Sequence, residues 1–274
     1  MAEQLPASQV PLTWPHDVLT LCIDIGGTGL KAGVVDANGV MVSARVKRPT
    51  PYPCPPDRLV AELGQLVTPL SGYLRVSAGF PGLVRSGVVI DVPSLSRRTY
   101  GGPRDPDLAS AWSRFPLAAA LAHAFQLPVT VVNDADMQGA AVVEGRGLEF
   151  VMTLGTGVGT ALFESGQLLP HFELSHGPFK KGRTTDALLG EASRRKLGTK
   201  HWRPLVREAL DMYQRMLFYD RVYVGGGNAA RLQPPDVAPL GVIIPNTAGI
   251  LGGVRIWSMT QASTDQATTR GAGR

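Results

Sequence analysis

Hydrophobic and polar positions along this chain switch repeatedly between a period of two and a period near four. Residues 18–25 are apolar and partly β-branched, and the same texture resumes over 30–35, so two strands flank a glycine turn. Asn38-Gly39 is a strong hairpin signal, and a third antiparallel strand is expected over 40–46. Leu59, Val60, Leu63, Leu66 and Val67 have the spacing of an amphipathic helix over 57–70. Strands follow at 75–80 and at 84–92, the second with a turn at Ser86-Gly87. A short helix is expected over 117–125, a strand over 129–132 and a helix over 137–143. Residues 150–163 then repeat the opening design of strand, glycine turn and strand. A helix over 204–217, strands at 221–224 and 242–244, and a helix over 248–259 complete the series. Residues 1–17 and 260–274 carry no sustained period and are expected to form a flexible leader and tail.

A length of 274 residues allows one large domain or two modest ones. The formal charge of +5 suits an anionic ligand without implying nucleic acid. Two cysteines, Cys22 in a strand and Cys54 among prolines, make neither a disulfide framework nor a zinc cluster. A reducing compartment, the cytoplasm, fits that usage. No cationic segment leading into an apolar run marks a signal peptide, and no run is long enough to span a bilayer.

Chemistry concentrates where the strands end. In the turn after the first strand, Asp24 precedes Gly26, Gly27, Thr28 and Gly29, with Lys31 beyond. Consecutive turn N–H groups, a hydroxyl and an ammonium can form a concave anion nest. A plain hairpin is the alternative. No G-x-x-x-x-G-K-[ST] pattern is present, and no helix starts here as a dinucleotide fingerprint needs. Leu154-Gly155-Thr156-Gly157-Val158-Gly159-Thr160 repeats the arrangement, so two loops could grip one phosphate chain from opposite sides.

Asn133-Asp134-Ala135-Asp136 lies between a strand and a helix, where open α/β sheets bind ligands. A helix N-cap explains one such polar residue comfortably and three less well. His171, Glu173 and His176 group two imidazoles and one acid without the further ligands of a zinc site, which points to hydrogen bonds with a ligand or to a solvated loop. Residues 180–207 hold nine Lys/Arg against two acids, with Trp202 among them: a solvated face, or a track for a long polyanion. Residues 94–104 carry Arg97, Arg98 and Arg104 and read as an exposed loop.

With these pieces placed, the sequence resembles the ROK family of sugar kinases, closest to its polyphosphate/ATP glucokinase branch, from about residue 18 to 257. Residues 24–31 and 154–159 resemble the family's two phosphate motifs, 133–136 the segment with its catalytic aspartate, and Gly225-Gly226-Gly227-Asn228 its nucleotide-side motif. Residues 248–253 are similar to its final connecting helix. The resemblance implies an α/β fold of two RNase H-like (actin-like ATPase) lobes around a cleft. It sets the lobes at 18–132 and 133–259, with the last helix packing back on the first. It implies phosphoryl transfer from polyphosphate or ATP to a hexose hydroxyl, glucose first, with Asp134 as general base. Gly26, Gly27, Thr28, Lys31, Gly155, Thr156 and Gly157 would hold phosphates, and Gly225 to Asn228 the nucleotide. Ser94, Asn133, Glu173, His176 and Gly82 would hold or shape the sugar site, and Asp24 would hold Mg²⁺ through water. A homodimer is implied, with no zinc, nucleic acid or membrane.

Two departures stand out. Ser175 replaces the glycine of the family's Glu-x-Gly-His, and Ser94-Leu95 stands at its sugar-contacting Asn-Leu. A hydroxyl cannot offer the two-ended hydrogen bonding of an amide, which leaves open a kinase for an amino sugar or other polyol. A non-catalytic sugar sensor is the alternative from another class, and retention of Asp24, Asp134 and both glycine loops argues against it.

Overall fold

The computed structural model describes residues 14–245 and 248–259. The first half begins with β1 (Thr20–Ile25), β2 (Gly29–Val35), β3 (Val46–Pro49) and α1 (Pro56–Val67). Next come β4 (Arg75–Phe80), β5 (Leu83–Arg85), β6 (Val88–Asp91), α2 (Pro106–Trp112), α3 (Leu117–Phe125) and β7 (Val129–Asn133). The second half opens with α4 (Asp134–Ala140), β8 (Leu148–Leu154), β9 (Val158–Glu164) and β10 (Gln167–Leu168). It continues through β11 (Pro178–Lys180), β12 (Arg183–Thr184), α5 (Thr185–Leu189), α6 (Glu191–Leu197) and α7 (Thr199–Leu217). It closes with β13 (Arg221–Gly225), β14 (Gly241–Ile243) and α8 (Ala248–Leu251).

Among the described residues two five-stranded sheets carry the fold, ordered β3-β2-β1-β4-β7 and β10-β9-β8-β13-β14. Both follow one plan. The first strand pairs antiparallel with the second, the third adds antiparallel outside it, and two more lie parallel on the other side. This duplicated order is the α/β architecture of two RNase H-like lobes. Residues of β1 alternate between two covered faces, which is why its sequence is nearly all apolar. Leu21, Ile23 and Ile25 join the core beneath α1 and α3, while Cys22 meets Ile250 and Val254 around α8. Asp24 follows Cys22 by two residues and so faces the α8 side.

Four expected elements are placed differently, among them the helix expected over 204–217, which begins at Thr199 and carries Pro204 inside it. Residues 40–45 make only an isolated antiparallel bridge, Met41 to Val35 of β2, and Val40 and Val42 lie exposed; β3 forms later, where Val46 to Pro49 pair with β2. The helix expected at 137–143 starts at Asp134, because Asn133 caps it by accepting a hydrogen bond from Ala135 N. The helix expected over 248–259 breaks after Leu251. Gly252 and Gly253 sit at the break, where a Cβ would lie 1.7 Å from Met137 O and 2.6 Å from Cys22 Sγ, so only glycine lets the backbones meet. There α8 packs on α4, β1 and β2, and Ser77 Oγ donates to Gly253 O at 2.5 Å while accepting from Trp257 Nε1 at 2.8 Å. The expected tail and most of the leader fall outside the described residues; Trp14 packs edge-on against Trp257.

Candidate active site

Both glycine turns close their hairpins at the same place in each sheet, and each is braced from outside. Gly26 O accepts from Thr50 Oγ1 at 2.5 Å and Gly27 O from Tyr52 OH at 2.7 Å. In the second turn Gly155 O accepts from Asn228 Nδ2 at 3.1 Å and Glu191 N at 3.0 Å, and Val158 N donates to Asp186 Oδ1 at 2.8 Å. Carbonyl oxygens that would repel an anion are thus held by donors, while Thr28 and Thr156 stand exposed at the tips. Tyr100 OH comes within 3.4 Å of Thr156 Oγ1 and its ring packs on Tyr52, so the 94–104 loop reaches from one turn to the other.

Asp134 opens α4 beside β9: a Cβ placed on Gly159 would lie 3.9 Å from Asp134 Oδ1. Burial, then the negative charge of Asp24, pushes its carboxyl up to about 7. Asp24 lies across the hairpin from Lys31, whose ammonium meets Asp24 Oδ2 at 2.7 Å. Lys31, expected at the phosphates, is therefore engaged with the expected metal ligand. A Cβ on Gly249 would lie 3.9 Å from Asp24 Oδ2, which places the start of α8 at the same spot.

The sugar-side residues divide. Asn133 is occupied inside the protein: its Oδ1 caps α4 and its Nδ2 donates to Gly82 O at 3.0 Å. These two bonds hold Asn133 between Gly82 and α4 and leave its amide a second N–H and a second lone pair. A Cβ on Gly82 would strike Asp91 O at 2.4 Å. Ser94 differs, because its buried hydroxyl has no protein partner and lies beside Gly27. Glu173 is three-quarters buried and His176 half exposed, with Glu173 Oε2 3.9 Å from His176 Nε2. His171 is buried, its Nδ1 2.9 Å from Asp136 Oδ1 and its Nε2 3.6 Å from Glu173 Oε1. Burial alone would lower the imidazole, but the Asp136 hydrogen bond and the charge of Glu173 outweigh it and hold it at about 9. Burial raises Glu173, and the neighbouring His171 brings it below its usual value.

The 225–228 segment serves the second turn more than open space. Gly226, at φ +84°, would place a Cβ 2.4 Å from Leu154 O, Gly225 packs on Ile244 and Gln138, and Asn228 is tied to Gly155 O. Gly227 alone of the three glycines has no atom within 4 Å of a Cβ position. The basic stretch is largely committed. Lys180 pairs with Glu208, Arg194 and Arg195 with Glu191, and Arg203 and Arg207 with the buried Asp236. Trp202 is wholly buried, its Nε1 donating to Leu189 O, so it offers no stacking surface. Lys181, Lys196 and Lys200 have no ion-pair partner among the described residues.

Asp186, Glu191, Tyr52 and Tyr100 were not singled out by the sequence. Glu191 and Asp186 lie in two short helices hidden within the basic stretch. The tyrosines had no spacing relation to either turn. An acid at residue 186, just after a capping threonine, is the one local signal that was readable.

The family model that matches residues 20–170 is that of the ROK family. The chain belongs to the ROK family. It is 29% identical over 252 residues to a polyphosphate glucokinase of Mycobacterium leprae, covering 84% of this chain and 72% of that one. It is 34% identical over 157 residues to an N-acetylmannosamine kinase of Escherichia fergusonii, covering 55% and 49%. A crystal structure of the inorganic polyphosphate/ATP-glucomannokinase from Arthrobacter sp. strain KM superposes with a TM-score of 0.74 at 27% identity, covering 89% of this ROK chain and all of that one.

Proposed function

We propose that this ROK protein is a sugar kinase that transfers a phosphoryl group from polyphosphate or ATP to a hexose hydroxyl, with glucose the first acceptor to test. The observation that carries the reading is Asp134, a carboxyl held at about 7 at the start of α4, beside the second hairpin and facing Asp24 of the first. A base with that pKa is ionised enough at neutral pH and basic enough to take the acceptor hydroxyl's proton as the bond to phosphorus forms. Glu173 and His176 would hold sugar hydroxyls, and Ser94 Oγ would complete its hydrogen bonding on the ligand. Gly26, Gly27, Thr28, Gly155 and Thr156 would position donor phosphates through N–H and hydroxyl groups. Gly157 supports the second turn, where Asp186 leaves no room for a side chain.

Asp24 suits Mg²⁺ as a single hard-oxygen ligand, because that ion takes one or two carboxylates together with phosphate oxygens and water. Its Oδ2 is on Lys31, so Oδ1 or a water on it would be the contact. Bound there, Mg²⁺ would neutralise charge on the donor phosphates.

A second acceptor class has its own support. The N-acetylmannosamine kinase relative and the short Ser94 side chain both favour an N-acylated amino sugar. The test is initial rates with glucose, mannose and N-acetylmannosamine, each with ATP and with polyphosphate. Acceptor-dependent phosphate transfer is expected from at least one pair. Its absence from every pair would refute the kinase reading.

A further inference from the structure

His171 takes no part in the mechanism above, yet it is the imidazole buried deepest beside the acceptor side of the cleft. Its side chain is 3% exposed, as is that of Asp136, and the two meet at 2.9 Å from Nδ1 to Oδ1. The other ring nitrogen has no hydrogen-bond partner although it is buried. It is aimed at Glu173 Oε1, 3.6 Å away, just beyond hydrogen-bond reach. Glu173 Oε2 in turn lies 3.9 Å from the exposed His176. Asp136, His171 and Glu173 thus form a line outward from α4, in which the His171–Glu173 link is unmade.

An orphaned donor in a buried site is costly, and such a cost is tolerated where a bound ligand removes it. A shift of Glu173 by about half an ångström would complete the link at ordinary hydrogen-bond length. Asp136 fixes which ring nitrogen faces Glu173, as carboxylates do for functional histidines elsewhere. With a proton on Nε2, His171 leaves Glu173 a pure hydrogen-bond acceptor, able to receive sugar hydroxyls with its remaining lone pairs.

We propose that His171 is a positioning residue: anchored by Asp136, its Nε2–H closes onto Glu173 when the acceptor binds and fixes that carboxylate to receive two sugar hydroxyls. The inference rests on the kinase reading, since it assigns Glu173 to the acceptor. It goes further in making the buried pair a determinant of acceptor affinity. The charged groups facing the imidazole are Asp136 and Asp134 from α4 and Glu173 from its own loop.

Two near-isosteric variants separate the halves of the line. His171→Asn places an amide nitrogen near Nδ1, keeping the Asp136 bond and losing the reach to Glu173. His171→Gln places it near Nε2 and keeps that reach. Calorimetric titration of glucose and N-acetylmannosamine into the intact protein gives the affinity, and steady-state rates with the better acceptor give KM and kcat. For His171→Asn the acceptor Kd and KM rise about ten- to hundredfold, the loss of one hydrogen bond to a charged group, while donor KM stays within about twofold. For His171→Gln the acceptor Kd stays within about threefold of wild type. Equal affinities in wild type and both variants would overturn the proposal. So would equal losses in both, or loss of donor affinity in step with acceptor affinity, because a merely structural histidine behaves that way. A wild-type protein that binds neither sugar would instead overturn the kinase reading, and this inference with it.

Discussion

Replacing Asp134 by Asn separates chemistry from folding in this protein. The amide keeps the carboxylate's size, and its oxygen can still accept from Ala135 N, now bonded to Asp134 Oδ1 at 2.9 Å. What disappears is the proposed base. General-base catalysis contributes about 10²–10⁴ in rate, so kcat should fall by that factor, about 3–5 kcal/mol of barrier. The pH profile changes as well. With the carboxyl at about 7, wild-type kcat/KM should rise tenfold per pH unit below 7 and level off above it, whereas the variant's residual rate should lose that limb.

Stability should move the opposite way. A carboxyl raised from 3.8 to about 7 on folding favours the native state fully below pH 3.8, and that contribution is lost as pH rises through 7. At pH 8 the ionised group therefore burdens the fold by up to about 4 kcal/mol, at 1.36 kcal/mol per tenfold. Removing the charge should raise Tm at pH 8 by about 5–10 °C, and the gain should vanish near pH 3.5. A coupled assay for sugar phosphate and thermal unfolding followed by circular dichroism read the two effects. Turnover above a tenth of wild type, or a Tm at pH 8 below wild type, would refute the assignment of Asp134 as a half-buried base whose charge burdens the fold.

Gly226→Ala should lower stability by about 2 kcal/mol or more, since a Cβ would lie 2.4 Å from Leu154 O at φ +84°; Gly227→Ala should leave Tm unchanged, and denaturant melts compare them. Asp186→Asn weakens the acceptor for Val158 N and should raise donor KM several-fold with little change in acceptor KM, measured by crossed steady-state titrations. Arg203→Met exposes the buried Asp236 carboxylate to partial loss of its partners and should cost about 2–4 kcal/mol in urea melts, without altering the salt dependence of polyphosphate turnover. If polyphosphate is the donor and tracks the free cations, changing Lys181, Lys196 and Lys200 together to Ala should flatten that salt dependence at unchanged Tm.

The features readable from sequence were those written in a few consecutive residues. Two hairpins with glycine turns, the strand leading into Asn133-Asp134, and the amphipathic helix under Leu59, Leu63 and Leu66 all depend on local period and turn chemistry, and all formed. Residues 40–46 look like a strand for the same local reason, yet the segment bridges β2 only at Met41 and pairs again only from Val46, because Val40 and Val42 face solvent and have no apolar surface to bury. Asn133 shows the other limit. Its type fits both a sugar ligand and a helix cap, and the partner of one of its amide hydrogens, Gly82 O, lies fifty-one residues earlier, out of reach of any local pattern. Arg203 and Arg207 read as free charge until Asp236 arrives beneath them from a later segment. Charge runs conceal their partners whenever those partners are distant in sequence.

The two turns are equivalent by topology but not by support, and the difference bears on how they would grip a donor. The first is held by hydroxyls of Thr50 and Tyr52 from the adjoining loop of its own lobe. The second is held by backbone and amide groups of Glu191 and Asn228, and by the carboxylate of Asp186. Neutral hydroxyl donors leave the first turn's field to Asp24 and Lys31, the pair that a metal and a transferred phosphate would enter. Anchoring the second turn at three separate elements fixes its N–H groups before any phosphate arrives, and preorganised donors lose little freedom on binding. Tyr100, its hydroxyl 3.4 Å from Thr156 Oγ1 and its ring edge-on to Tyr52, lies between the two turns. With Glu173 and the turns in the roles proposed for them, closure of the lobes would bring the two turns together, and acceptor and donor binding would reinforce each other through closure rather than through direct contact.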